Sequence, residues 1–264
     1  MINPADFSLK IGRTRRNALK MGGIAATAAV AALASSRRSM AQTASTATVR
    51  RHCMLKGTGV ATANGHCKIE ELAIGDLVPT MYGGMRPIQW IGRYSIKRND
   101  PSNPWPRSLQ PIHIVASAIG PGAPRRDLYL SAEHALLVDG VLVSAGSLVN
   151  DVTIRRFDAT GCDELEYLHV KVEGHDVIYA EGLPVETMLR ADEGFENFDE
   201  YVYLYGEPGE ATRCAPFVSC TGIRREFRSR ARSAMAPWID RRQRADLIRD
   251  RIEERALSQE LELA

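Results

Sequence analysis

The sequence lacks the short motifs that identify many common enzymes. No serine stands in a GxSxG pattern, no HExxH pattern occurs, and no glycine-rich loop has the form that holds a phosphate. The five cysteines include no pair at CxxC spacing, which argues against a zinc knuckle or a thioredoxin-like site. We therefore expect neither an ordinary hydrolase nor a bound metal or other cofactor.

An excess of charge of one sign is also missing. The 264 residues include 34 basic and 32 acidic side chains, which gives a net charge of +2. Nothing in this balance requires a nucleic acid as partner. Residues 224–255 are locally basic, with eleven arginines and six acids. The interleaved acids favour a solvated helix over a nucleic-acid arm, so we expect no nucleic-acid partner.

The first 41 residues have the pattern of an export signal. Residues 14–20 resemble a twin-arginine signal at both arginines, the leucine and the lysine, although Ala18 stands where a bulkier apolar residue is usual. The apolar run 21–35 would form a helix of about 22 Å, which is shorter than the roughly 30 Å core of a bilayer. We expect cleavage between Ala41 and Gln42, export to the periplasm or the medium, and no stable membrane span afterwards. An uncleaved signal anchor is the alternative.

Short β-like runs and tight turns fill the chain from Cys53 onwards. Apolar or alternating runs are separated by Gly, Pro, Asn and Asp, and Asp139-Gly140 is a strong hairpin signal. This pattern predicts an all-β domain, with a proline-rich loop at residues 98–107. The predicted strands cover residues 59–62, 69–72, 77–78, 87–91, 112–116, 128–130, 135–138, 141–143, 167–172 and 177–180.

Only the C-terminal end has a helical pattern. From Pro237, which suits a first helical turn, apolar residues recur at helical spacing while the opposite face is charged. The apolar positions are Trp238, Ala245, Ile248, Ile252 and Ala256. The sequence therefore predicts an amphipathic helix within a C-terminal extension at residues 191–264.

Four segments of the β-rich region resemble the Hint domain of Hedgehog proteins and inteins, especially bacterial proteins that consist of a Hint domain alone. Each segment is weak by itself, and their order and spacing carry the resemblance. They are CMLKGT at 53–58 with VAT and Gly65 after it, IEEL and GDLV at 69–72 and 75–78, RDLYLSAEH at 126–134, and HDVIYAEGLP at 175–184. The resemblance implies a horseshoe-like all-β fold at residues 53–190, after a flexible linker at 42–52.

The resemblance also implies a self-processing reaction. In this family a cysteine at the first position attacks the preceding carbonyl, and an N-to-S acyl shift converts the peptide bond into a thioester. The scissile bond here would join His52 to Cys53. Ser131 and His134 match the family's Ser/Thr-x-x-His pattern, which implies that Ser131 orients or polarises the amide and His134 protonates its nitrogen. His175 matches the family's late histidine.

The residue that completes protein splicing is absent. Inteins end in His-Asn, and that Asn cyclises, whereas the corresponding region here reads GLPVET at 182–187 and 77 further residues follow. The resemblance therefore implies thioester formation without splicing. Hydrolysis, or transfer to an unidentified nucleophile such as a lipid, would follow. The chain's own N-terminal segment would be the substrate, in a single-turnover reaction of the cysteine autoprotease or transferase type.

A second interpretation stays open at this level. Only residues 42–52 would be released from an exported chain, so the scaffold could instead be a non-catalytic binding or assembly module. Cys53 and His134 would then be ordinary core residues, as free cysteines often are. Cys67 is expected to be structural, and Cys214 could pair with Cys220. The remaining histidines fit no pattern and are expected to be structural or exposed; they are His52, His66, His113 and His169.

The export signal gives a direct test. N-terminal sequencing of the protein from the periplasm or medium should begin at Gln42. Replacement of Arg15 and Arg16 by lysine should block this maturation, because the paired arginines carry the resemblance to a twin-arginine signal. A protein outside the cytoplasm that still begins at Met1 would contradict the prediction.

Overall fold

The computed structural model describes residues 52–98, 100, 102–219, 223–236, 240 and 242–263. The predicted signal, its cleavage site at Ala41 and Gln42, and Cys220 lie outside these residues. The four described cysteines are free thiols. No helix among the described residues is both long enough and apolar enough to cross a membrane.

Two large sheets and one separate hairpin account for the strands of this part of the chain. The strands are β1 (Met54–Leu55), β2 (Gly59–Thr62), β3 (Gly65–Lys68), β4 (Leu77–Thr80), β5 (Gly84–Pro87), β6 (Trp90–Lys97), β7 (Ile112–Ile114), β8 (Leu128–Leu130), β9 (Ala135–Val138), β10 (Val141–Ser144), β11 (Ile154–Arg156), β12 (Glu164–Lys171), β13 (Val177–Ala180), β14 (Leu183–Glu186) and β15 (Phe217–Val218). The first sheet has the order β11-β7-β8-β1-β12-β6 and the second β15-β10-β9-β14-β13-β2-β3, while β4 pairs with β5.

The chain passes from the first sheet to the second at three places. These crossings join β1 to β2, β8 to β9, and β12 to β13. The first follows Cys53, the second contains Ser131 and His134, and the third contains His175. The three predicted catalytic segments therefore meet where the two sheets share a seam, although they are far apart in sequence.

Apolar side chains on the inner faces of both sheets form the main core, because alternate strand residues point to the same face. Fully buried members come from strands of each sheet, and the C-terminal helix adds to the same cluster. Representative members are Met54, Val60, Ile112, Leu130, Leu136, Val170, Ile178 and Ile252. A second cluster surrounds Cys53 and Trp90.

Most of the predicted strands are confirmed. The Asp139-Gly140 turn joins β9 to β10 with positive φ at both residues, as a two-residue hairpin requires. The strand predicted at 69–72 is wrong, because residues Ile69–Glu71 form a 3-10 turn whose first amide donates to the Thr58 carbonyl. The strand predicted at 87–91 is also wrong as one element, since β5 ends at Pro87 and β6 begins at Trp90. Five short strands were not predicted; they are β1, β3, β11, β14 and β15.

Three helices follow the sheets: α1 (Phe198–Tyr205), α2 (Ile223–Met235) and α3 (Arg244–Leu263). The last confirms the predicted C-terminal helix, although it begins at Arg244; Pro237 and Trp238 lie outside the described residues. Its predicted apolar positions Ala245, Ile248, Ile252 and Ala256 are buried. The sequence did not predict α2, because polar contacts hold it against α3: the buried Asp246 accepts hydrogen bonds from Ser229 and Arg232.

The docking of α3 onto the β core can be tested by truncating one side chain. Ile252→Ala should lower the free energy of unfolding by about 2–5 kcal/mol, because it leaves a cavity in the main core. Leu261→Ala on the same helix should change it by less than about 0.5 kcal/mol, because Leu261 is 80% exposed. Urea unfolding of both variants measures the difference. Equal effects would contradict the docking.

Candidate active site

Two hydrogen bonds connect Cys53 and Ser131. The Cys53 amide donates to the Ser131 hydroxyl oxygen at 2.8 Å, and the Ser131 amide donates to the Cys53 carbonyl at 2.9 Å. The pair continues the register of the first sheet, in which Met54 of β1 lies opposite Leu130 of β8. Cys53 is fully buried. The nitrogen of the predicted scissile bond is therefore in direct contact with the predicted Ser131 assistant.

His134 lies one turn after Ser131 and is fully buried. Its amide donates to the Ser131 carbonyl at 3.1 Å, and its carbonyl accepts from the Ala145 amide at 2.9 Å, so the backbone at both ends is fixed. Neither ring nitrogen has a hydrogen bond of ordinary geometry within the described residues. Burial lowers the pKa of His134 to about 4, although the Glu186 carboxylate and the nearby His52 carbonyl act to raise it.

The low pKa of His134 changes its predicted role. The sequence suggests an imidazole that exchanges protons at its ordinary pKa near neutrality. The buried ring is instead neutral at pH 7 and carries a free lone pair. It can therefore accept a proton before it donates one. This suits a group that carries a proton from one atom to another better than a general acid that is already protonated.

A buried carboxylate, Glu186 at the end of β14, connects several parts of the site. Its Oε1 lies 2.6 Å from His52 Nδ1 and accepts the Ala135 amide at 3.0 Å. Its Oε2 accepts from Arg213 Nη1 at 3.0 Å and lies 3.4 Å from His175 Nε2. Burial raises the pKa of Glu186, but the close contacts with His175 and His52 outweigh it and hold the pKa below its usual range. Glu186 is thus a charged carboxylate, and the donors around it replace the solvation that it loses by burial.

His175 reaches the site through Glu186. The Cys214 amide donates to His175 Nδ1 at 3.0 Å, so that nitrogen must be an acceptor and the neutral ring carries its proton on Nε2, facing Glu186. The Cys214 sulfur lies 3.1 Å from the same Nδ1. Burial raises the pKa of Cys214 to about 11, which keeps it a thiol at neutral pH. Cys214 on one side and Glu186 on the other therefore fix the orientation of the His175 ring.

His169 on β12 also belongs to the site, although the sequence analysis assigned it no role. Its ring lies 5.0 Å from that of His134, and it is buried with no hydrogen-bond partner for Nε2 among the described residues. Burial holds the pKa of His169 well below its ordinary value. A cavity of about 220 Å³ lies beside it and is lined also by His52, Glu186 and Arg213. A small molecule can therefore approach the residue that precedes Cys53.

Comparison with protein families agrees with the fold. The family model for the Hint domain matches residues 52–192. This chain belongs to the Hint domain family. The match begins at His52, next to the first residue of the predicted domain, and contains Ser131, His134 and His175. The prediction of a Hint domain is thereby confirmed.

Solved structures with a similar arrangement include inteins and an intein-like domain. The gp41-1 intein shares 17% identity, with a TM-score of 0.37 over 51% of this chain and 98% of that chain. A DnaB intein from Synechocystis sp. PCC 6803 shares 13%, with a TM-score of 0.36 over 52% and 99%. A bacterial intein-like domain from Clostridium thermocellum gives the same four values. Comparison with curated proteins gives no match.

Only part of the candidate site could be recognised in the sequence. The structure brings together Cys53, Ser131 and His134, and it links His175 to them through Glu186. The catalytic roles of these residues stay predictions. Glu186 lies in the GLPVET segment, which was notable in the sequence only because it lacks an Asn. His169 and Arg213 belong to no motif, so only their positions in the fold could reveal them.

The buried histidine predicts a specific dependence of stability on pH. The unfolded chain protonates His134 near pH 6.5 but the folded chain only near pH 4, so the folded state loses stability as the pH falls through this window. From pH 7 to 4.5 the loss from His134 should be about 2–3 kcal/mol. Urea unfolding of the Cys53→Ala protein, which lacks the predicted nucleophile, measures it. Glu186 has a lowered pKa, so the stability that its charged form contributes is lost only below about pH 4.3.

A matched pair of variants isolates the contribution of His134. His134→Gln should make the dependence between pH 6.5 and 4.5 shallower and leave the part that comes from the buried His169, whereas His66→Gln should leave it unchanged because His66 is exposed. A slope that stays the same in His134→Gln would contradict the assignment.

Proposed function

We propose that this Hint domain cleaves the peptide bond between His52 and Cys53 through an N-to-S acyl shift. The observation that carries the proposal is the contact between the scissile amide nitrogen and the Ser131 hydroxyl at 2.8 Å, with the buried His134 beside the His52 carbonyl. A nucleophile, a hydrogen-bonding group at the leaving nitrogen and a neutral base thus surround one peptide bond. This arrangement is the one that nucleophilic catalysis needs.

The proposed chemistry uses these groups in two proton transfers. The Cys53 thiol passes its proton to neutral His134 while its sulfur bonds to the His52 carbonyl carbon. Protonated His134 then gives the proton to the Cys53 nitrogen, the C–N bond breaks and a thioester remains. Ser131 holds the nitrogen in place during both transfers. An amide is more stable than a thioester, so water or another nucleophile must consume the thioester to drive the reaction.

The end of the domain supports cleavage without splicing. Thr187 ends the segment 182–187, which lacks the Asn found at the end of inteins, and it has no side-chain amide that could cyclise. Its hydroxyl donates to the Asp176 carbonyl at 3.1 Å and accepts the Asp176 amide at 2.9 Å, so the side chain has a structural role. We therefore expect residues 53–264 to stay in one piece after cleavage.

Hydroxylamine provides the test, because it cleaves thioesters much faster than amides. The full chain incubated with hydroxylamine at pH 7 should release the segment that ends at His52, as its hydroxamate, and leave a 53–264 fragment. Intact-mass measurement over time gives the rate. Ser131→Ala and His134→Ala should each lower this rate by about 100-fold or more, because each removes a group that assists the transfer.

Two cysteine variants provide the controls. Cys53→Ala should release nothing, whereas Cys67→Ser should behave like the parent because Cys67 lies on β3, away from the seam. A parent chain whose mass does not change would refute the proposal and favour a non-catalytic binding or assembly module. Cleavage that persists in Cys53→Ala would assign the reaction to another group.

A further inference from the structure

The side chain of His52 is held more firmly than that of an ordinary linker residue. Its Nδ1 lies 2.6 Å from Glu186 Oε1, and the His52 side chain is 28% exposed while that of Glu186 is 2% exposed. His52 supplies the carbonyl that Cys53 would attack. A buried carboxylate therefore holds the one residue whose orientation decides how the sulfur approaches.

The C-terminal extension supplies the rest of the contact. Arg213 donates to Glu186 Oε2 at 3.0 Å, and its guanidinium lies 4.4 Å from the centre of the Phe217 ring. The Phe217 ring lies 6.2 Å from the His52 ring. Both residues lie beyond residue 192, where the family match ends. They reach the site because β15 pairs in parallel with β10 at the edge of the second sheet.

We infer that Glu186, Arg213 and Phe217 form a recognition subsite for the side chain of the residue before the cleaved bond. The inference rests on the proposed function and extends it to substrate specificity. The subsite binds a planar side chain that donates a hydrogen bond: the carboxylate accepts the donor, Arg213 holds the carboxylate, and Phe217 packs against the ring. Glu186 and Arg213 are positioning residues, since they act on the scissile carbonyl through His52.

The physical advantage is the restriction of rotation. A residue held only by its backbone can turn its carbonyl away from the sulfur, whereas one anchored by its side chain keeps it in the attack geometry. The anchor is specific because Glu186 is buried and charged. An apolar side chain leaves its Oε1 with one donor fewer, and an acidic side chain adds a second negative charge beside it.

Substitutions at His52 test the subsite. The amide nitrogen of Asn can take the place of His Nδ1, so His52→Asn should cleave within about threefold of the parent. His52→Ala should be slower by about 10- to 100-fold, because the anchor is lost. His52→Asp should be slower still. Hydroxylamine-driven release, followed by intact mass, ranks the four proteins. Lys56→Ala, which breaks an exposed 2.6 Å pair with Glu166, should match the parent.

Glu186→Gln, alone and with His52→Ala, separates anchoring from general damage. If Glu186 acts through His52, Glu186→Gln should slow the parent strongly but add little to His52→Ala. Equal rates for His52→Ala and His52→Asn would overturn the inference, as would full additivity of the two changes. In that event the parent would still cleave, and the proposed self-processing would stand.

A measurement without cleavage keeps the two proposals separate. In the Cys53→Ala protein, NMR should show the His52 imidazole with a slowly exchanging ring proton, and this exchange should become faster when Glu186 is replaced by Gln. The same variant should leave the exposed His66 signals unchanged. A His52 ring proton that exchanges at the same rate in both proteins would refute the subsite, whatever the cleavage experiment gives.

Discussion

The site depends on the burial of one negative charge. A carboxylate taken out of water costs several kcal/mol unless donors replace the lost solvation. Glu186 meets this requirement with groups from four separate segments: the residue before the domain, the first amide of β9, the loop before β13 and the extension. Each of these segments must reach its place for the charge to be stable. The same requirement fixes the position of His52 beside Cys53.

The seam between the two sheets explains why the histidines behave as they do. His134 and His169 lie where both sheets exclude water, so desolvation keeps both rings neutral in spite of the nearby carboxylate. A neutral ring there can accept a proton from a thiol, whereas a charged one could not. The fold thus sets the protonation state of the candidate catalytic groups by burial, and the carboxylate moderates it.

The extension is part of the site as well as an addition to the domain. The family match ends at residue 192, yet Arg213, Cys214 and Phe217 contact Glu186, His175 and His52. β15 makes these contacts possible because it adds a parallel strand next to β10. The helices α2 and α3 follow, and α3 packs into the same core as the sheets. The region beyond the Hint domain therefore affects how the domain holds the residue it would cleave.

The sequence by itself determined the all-β class, most of the strands, the C-terminal helix and the segment Ser131-x-x-His134. These features depend on local patterns: alternation along a strand, turn residues such as Asp139-Gly140, and a fixed spacing within one motif. It could not reveal α2, whose contacts with α3 are polar, or the 3-10 turn at Ile69–Glu71. Only the tertiary structure decided that Glu186, His169 and Arg213 share the site, and that His134 is neutral. Burial and long-range contacts arise from the packing of distant segments, and no local pattern encodes them.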